Sequence, residues 1–475
     1  MPALPALNTA LGPAGGRTIA SAGQRALGSL AAAALLAAAL ACGDGASATG
    51  GSSTDAPILR LVRGDAQISA AGSELPSPIV VRATNARGAP LAGIALEWNA
   101  TGDGRVEPDR LVTDDSGLVR AAWTLSGELG RNSATATLAG QVVTFRATGA
   151  EPLSLGTVRH LRLATFDGSG QLVHPDVARV PRGWAPARRF LAITPYPGGD
   201  VARELPSVYA SGDPSEWVAP NGVKNPIVKP WKGYLSDPDL VFEPQRKELW
   251  MYYRHVSKRN TVFLTVSADG SHWSKPVRLV SAPNHELVSP SVVRVDQGNW
   301  HMWSVNAGDA GCSSMTTTVD HRTSLDGLHW SAPAKVQVSS PDQLPPWHLD
   351  VIWVAELGEF WTLFNEKDPR SCATQALRLS TSRDGINWTE RPTPVLRAGV
   401  TPEFRDIVYR STLEYDARTD MVTLWYSGAR RDDETWTWNA AVERRSRLGL
   451  FQMLDAPEPV RRRVATRAAV LLDAP

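Results

Sequence analysis

A seven-residue frame recurs four times in this chain, as Ser211-Gly-Asp-Pro-Ser-Glu-Trp217, Ser267-Ala-Asp-Gly-Ser-His-Trp273, Ser324-Leu-Asp-Gly-Leu-His-Trp330 and Ser382-Arg-Asp-Gly-Ile-Asn-Trp388. The copies start 56, 57 and 58 residues apart, which points to an architecture of like units packed against their neighbours. Alternating apolar strands flank each copy, for example 261–266 before and 276–280 after the second. The frame therefore reads as a hairpin turn, with Asp and Gly supplying the turn geometry and Trp packing behind it.

Each unit has two more strands upstream. The second strands are 190–194, 249–253, 300–304, 360–364 and 422–427, and the first open with His174-Pro-Asp-Val177, Asp237-Pro-Asp-Leu240, Ser289-Pro-Ser-Val292, His348-Leu-Asp-Val351 and Tyr409-Arg-Ser-Thr412. Five units of four strands predict a five-bladed β-propeller over 156–455. The last unit lacks the repeated frame, and 158–166 is expected to close the ring by pairing with it. Seventeen Trp are expected mostly in the core.

The preceding 56–150 region shows short alternating strands broken by turn signals such as Asn85-Ala-Arg-Gly88 and Gly102-Asp-Gly104, the pattern of a small β-sandwich. The predicted class is thus all-β, an N-terminal sandwich followed by the propeller. At the N-terminus, Arg17 and Arg25 precede an apolar 26–40 stretch that ends at Cys42, with a Gly/Ser/Thr-rich run behind it. Residues 1–41 read as a signal peptide, too short for a membrane span, 42–55 as a linker and 456–475 as a tail. Lys plus Arg (49) nearly balances Asp plus Glu (48), which argues against nucleic acid as a partner. Besides Cys42 there are Cys312 and Cys372, ten residues past Met302 and nine past Leu363. They fall in equivalent loops of neighbouring blades, so a disulfide between them is expected.

Strand direction alternates within a blade, so if the repeated frame lies on one face, first-strand starts and second-strand ends share the other. Two sets converge there: His174, Asp176, Asp237, Asp239, Ser289, Ser291, His348, Asp350 and Arg410, then Arg254, Asn306, Asn365, Arg430 and Glu204. Carboxylates opening apolar strands are poorly explained by packing, because buried unpaired charge is costly. Gathered together, they shift one another's pKa values, as acid/base hydrolysis requires. The alternative left open is that they fasten the blades together or hold a channel cation. No protein cofactor is expected otherwise.

Several segments resemble known families. Residues 75–82, 88–98, 113–117 and 122–125 resemble the bacterial Ig-like domain of the invasin and intimin type, which implies a stalk. The repeated frame resembles the Asp-box of sialidases, whose Asp is structural. Ala39-Leu-Ala-Cys42 resembles the lipobox of bacterial lipoproteins, implying acylation of Cys42, export and membrane attachment. Residues 170–455 resemble the five-bladed glycoside hydrolases of the arabinanase, xylosidase and invertase type. That resemblance implies a carboxylate base opening blade one, an Asp opening blade two and a Glu acid opening blade three. Asp239 fits the second, whereas His174 stands at the first position and Val288 at the third.

The expected function is hydrolysis of a glycan or oligosaccharide. Asp176 is the expected base, Asp239 orients the sugar and Glu204 or Asp350 donates the proton, with His174 or His348 as substitutes. His174, Asp237, Arg254, Ser289, Asn306, His348, Asn365, Arg410 and Arg430 are the expected substrate contacts. Two alternatives stand beside it: a non-catalytic surface propeller that binds carbohydrate or protein, and a sialidase-like enzyme gathering Arg254, Arg410 and Arg430 around a carboxylate.

Overall fold

A computed structural model describes residues 56–455 apart from 151–152, 154–155, 231, 340–344, 368–373 and 400. The signal peptide, Cys42, the linker, Cys372 and the tail lie outside the described residues.

Residues 58–150 form two four-stranded sheets. They share one core that includes Val81, Trp123, Ala136 and Phe145, so the alternating pattern has placed its apolar face between two layers. This sandwich rests on blade one. Ser77 Oγ donates to the Ala185 carbonyl at 2.5 Å, and Arg182 pairs with Glu74. Gly212 has no room for a side chain, because a Cβ there would strike the Ile68 carbonyl and Pro76.

Beyond it lie five sheets, antiparallel apart from one parallel pairing, Gln337–Ser339 with Asn387–Glu390, in the six-stranded fourth. Their inner strands, Leu172–Arg179, Tyr234–Glu243, Val288–Asp296, Pro346–Val354 and Ile407–Asp416, contact one another in cyclic order, the fifth touching the first. The ring is closed as expected: Arg159–His160 pairs with Thr435–Ser446 of blade five. Blade one departs from the four-strand expectation. It has three strands, Leu172–Arg179, Arg189–Pro195 and Ser207–Ser211, because the chain after its turn makes only isolated bridges, Ala210 to Val218 and Arg162 to Glu216.

The repeated frame is a turn in all four copies. Asp269 Oδ1 accepts from the Ser271 and His272 amides at 2.7 and 2.8 Å, and Asp326 and Asp384 do the same in their copies. Its glycine has two constraints. Gly270, Gly327 and Gly385 have φ of +77°, +73° and +73°, and each is pressed against an aromatic ring of the preceding blade, Phe190, Trp250 and Trp303. Aromatics of neighbouring blades also bond across the seams: Tyr252 Oη donates to the Gly327 carbonyl (3.0 Å), Trp303 Nε1 to that of Gly385 (2.8 Å) and Trp425 Nε1 to that of Pro214 (2.9 Å). Blade five has no such turn. The helix Arg447–Asp455 packs there, with Phe451 5.1 Å from the Trp361 ring.

Candidate functional site

Every inner strand breaks register near its start, between Val173 and Asp176, Ser236 and Asp239, Val288 and Ser291, Pro346 and His348, and Val408 and Ser411. In the first three blades the break falls on His174-Pro175-Asp176, Asp237-Pro238-Asp239 and Ser289-Pro290-Ser291. Proline has no amide for the ladder and is tolerated at such a bulge. The residue before it takes a left-handed backbone, φ +57° at His174, +50° at Asp237 and +53° at Ser289. That conformation costs a non-glycine residue about 1–3 kcal/mol and is characteristic of functional sites. The bulges produce two tiers of side chains.

The lower tier fastens the ring. Asp176 Oδ2 accepts from the Leu240 amide of blade two (2.6 Å), and Asp239 Oδ2 from the Val292 amide of blade three (3.0 Å). Ser291 Oγ accepts from the Val351 amide of blade four (2.9 Å) and donates to Asp350 (3.3 Å). Arg410 of blade five completes the circle, its Nη2 3.3 Å from Asp239 and 3.6 Å from Asp350. Three carboxylates around one guanidinium cannot all ionise cheaply. Burial and then Asp350 push Asp239 up to about 8, and burial also raises Asp176 and Asp350.

The upper tier has a different composition. His174 Nε2 and His348 Nδ1 approach the same atom, Asp237 Oδ1, at 3.3 and 3.4 Å. All three residues are at most 2% exposed, yet none of these facing atoms makes a hydrogen bond. Orphaned polar atoms at such depth need a partner. The separations equal the edge, about 3.3 Å, of a tetrahedron with metal–ligand bonds of about 2.0–2.1 Å. Two imidazoles and a carboxylate also form a donor set that binds divalent transition ions, so these residues fit such an ion.

Surrounding groups fix this geometry. Thr194 Oγ1 lies 2.9 Å from His174 Nδ1, a partner that can accept the Nδ1 proton of the tautomer whose Nε2 lone pair faces Asp237. Asp237 Oδ2 is held by Arg254 Nε (2.8 Å) and the Ser289 amide (3.2 Å). The Tyr409 ring packs on both imidazoles, 4.3 Å from His348 and 5.3 Å from His174. Burial holds both imidazole pKa values below the usual range, so both rings are neutral at pH 7. Burial opposes ionisation of Asp237 too, but Arg254 overcomes it and holds the carboxyl well below its usual range. Glu204, presented after the single turn Val201–Arg203, lies 3.8 Å from His174 Nδ1 and accepts from Ser236 Oγ at 2.5 Å. Its carboxyl is pushed up to about 8, chiefly by burial.

The other expected contacts scatter. Ser289 Oγ donates to the Leu349 carbonyl (3.0 Å) and Asn365 Nδ2 to that of Val408 (2.7 Å), so both are seam fasteners. Asn306 Nδ2 donates to Asp320 within its own blade (3.3 Å). Arg430 pairs with Asp432 at 2.7 Å on a half-exposed hairpin. Arg254 and Arg410 both lie beside His174 and His348, but each already has a buried carboxylate, Asp237 for Arg254 and Asp239 with Asp350 for Arg410. Thr194 and Tyr409 were missed as site residues. Tyr409 opens the blade-five strand just before Arg410, a position that signals a place at the channel; nothing in the sequence marks Thr194.

No family model matches the chain. Among curated proteins it is similar to the A type blood N-acetyl-alpha-D-galactosamine deacetylase of Flavonifractor plautii, 28% identical over 312 residues, which cover 55% of this chain and 40% of that protein. The chain thus spans about two fifths of that relative's length. Among solved structures, an N-acetylgalactosamine deacetylase from F. plautii in complex with blood group B trisaccharide matches with a TM-score of 0.57 and 24% identity, over 64% of this chain and 95% of that one. This likeness shows the fold. The alpha-L-arabinofuranosidase arb93a of Fusarium graminearum matches at a TM-score of 0.39 and 17% identity, over 74% and 92%.

Proposed function

We propose that this chain is a metal-dependent carbohydrate deacetylase that hydrolyses the acetamide of an N-acetylated amino sugar, with His174, Asp237 and His348 as metal ligands and Glu204 as the group that moves the proton. The observation carrying it is the convergence of His174 Nε2 and His348 Nδ1 on Asp237 Oδ1 at tetrahedral-edge distances with no hydrogen bond among them. A deacetylase among the curated relatives supports the same chemistry.

A divalent ion held there supplies Lewis acidity toward the acetyl carbonyl and the attacking water. In its ionised form, whose share grows as pH rises through about 8, Glu204 takes a proton from that water as its oxygen bonds the acetyl carbon, then returns it to the sugar nitrogen as the C–N bond breaks. The second proton of the water passes from the new carboxyl to the amine, so acetate and the ammonium form of the amino sugar leave and Glu204 ends ionised, as it began. Arg254 keeps Asp237 ionised and Thr194 keeps His174 in the ligating tautomer. In the test, the full chain, loaded with zinc or another divalent ion, is incubated with N-acetylgalactosamine- and N-acetylglucosamine-containing oligosaccharides. Acetate release abolished by a chelator supports the reading; metal binding without acetate release from any acetylated sugar overturns it.

A second reading is a glycoside hydrolase that uses Asp176, Asp239 and Asp350, favoured by the raised pKa of Asp239. It predicts release of sugar rather than acetate, and loss of that release in Asp239→Asn. A glycan partner is common to both readings. The remaining parts of the proposal concern placement. The chain is exported and anchored through an acylated Cys42, with the 56–150 sandwich as an Ig-like spacer, and Cys312 pairs with Cys372. Disulfide bonding of Cys312 supports that pairing. Two reactive thiols at Cys312 and Cys372 in the unreduced protein, or an unmodified Cys42 in membrane fractions, contradict the respective part.

A further inference from the structure

We propose that the propeller face opposite His174 carries a binding site for a tetrahedral oxyanion, the sulfate or phosphate group of an ester or of the free ion, with Arg188 as its main donor. The site is independent of the deacetylase reading. Arg179 ends the inner strand Leu172–Arg179 that carries His174 near its start, five residues and about 16 Å away. Around it the chain gathers guanidinium groups, most of them paired. Arg189 makes a double contact with Glu414 at 2.8 and 2.9 Å. Arg179 reaches Glu414 and Asp416 at 3.6 and 3.7 Å, Arg294 reaches Glu243 at 3.2 Å, and Arg182 pairs with Glu74.

Arg188 has no such carboxylate, and its buried Nη1 has no hydrogen-bond partner. Together with Arg179 and Arg294 it lines a recess of about 360 Å³ whose other walls include Val180, Phe242 and Pro244, with no carboxylate among the lining residues. Burial and the neighbouring Arg179, Arg189 and Arg182 lower the pKa of the Arg188 guanidinium, and Glu414, already paired with Arg189, offsets them only in part. A partly desolvated guanidinium whose neighbouring carboxylates are committed to other arginines has donors left for an anion. The planar fork of donors on arginine matches the oxygens of sulfate or phosphate, and the open recess leaves room for the anion beside Arg188.

In the test, the full chain is titrated calorimetrically at low ionic strength with sodium sulfate, sodium phosphate and a 6-O-sulfated N-acetylglucosamine oligosaccharide, against sodium chloride of equal ionic strength. Saturable binding is expected, weakened about tenfold or more in Arg188→Gln and unchanged in Arg105→Gln on the sandwich. Binding of the inorganic ions marks a free-anion site. Binding of the oligosaccharide alone marks a site for the ester. If Arg188→Gln fails to fold by circular dichroism, Arg179→Gln supplies the same readout. Absence of saturable binding by all three probes, or equal behaviour of the recess and Arg105 variants, overturns the proposal.

Discussion

At the residue scale the contrast is between carboxylates of similar depth and different company. Asp176 and Asp239 each accept an amide of the next blade, whereas Asp237 Oδ1 faces two imidazoles and no donor. Removing Glu204 as Glu204→Gln is expected to lower acetate release about 10²- to 10⁴-fold while stoichiometric metal binding, read by plasma mass spectrometry, persists. His348→Ala should lose the metal itself. A separate imidazole sets part of the acid limit. His321 touches His301 at 2.8 Å and stacks on Trp303, with Arg322 and Asp384 nearby. Burial, then His301, pushes it down to about 4 from 6.5. The unfolded chain takes up this proton before the folded one does, so the contribution is present above pH ~6.5 and lost as pH falls toward ~4. Urea melts across that window should show a shallower decline in His321→Phe than in the parent; parallel declines contradict the assignment.

At the element scale the repeated turn and the aromatic behind it form the blade-to-blade coupling. Gly385→Ala places a Cβ at positive φ, 2.8 Å from Trp303, and should destabilise by about 2–4 kcal/mol in denaturant titration. Trp303→Phe keeps a ring but removes the donor to the Gly385 carbonyl, with an expected cost of about 1–3 kcal/mol for the unmet acceptor and lost contacts. A larger loss in Trp303→Phe than in Gly385→Ala contradicts this ordering. The blade count, the turns and the closing strand were legible in the sequence, because a hairpin is specified by residues a few positions apart. The missing fourth strand of blade one was not, since it depends on what the chain does after Trp217.

At the scale of the whole molecule, an ion bound by residues from three blades stabilises the folded state by mass action. Adding zinc to the chelated chain is expected to raise its Tm, and His348→Ala should abolish that rise; equal shifts in both place the ion elsewhere. Sequence alone determined the repeat, hence the blades, and it placed His174, Asp237, His348 and Glu204 at the channel. Division of these polar residues into a fastening tier and an open cluster came only from the tertiary structure. His174 and His348 meet because closing the ring brings their inner strands to one Asp237 oxygen. A pattern local to a hairpin has no term for that distance, so the same Asp-Pro-Asp motif gives one carboxylate to the seam and the other to the candidate centre.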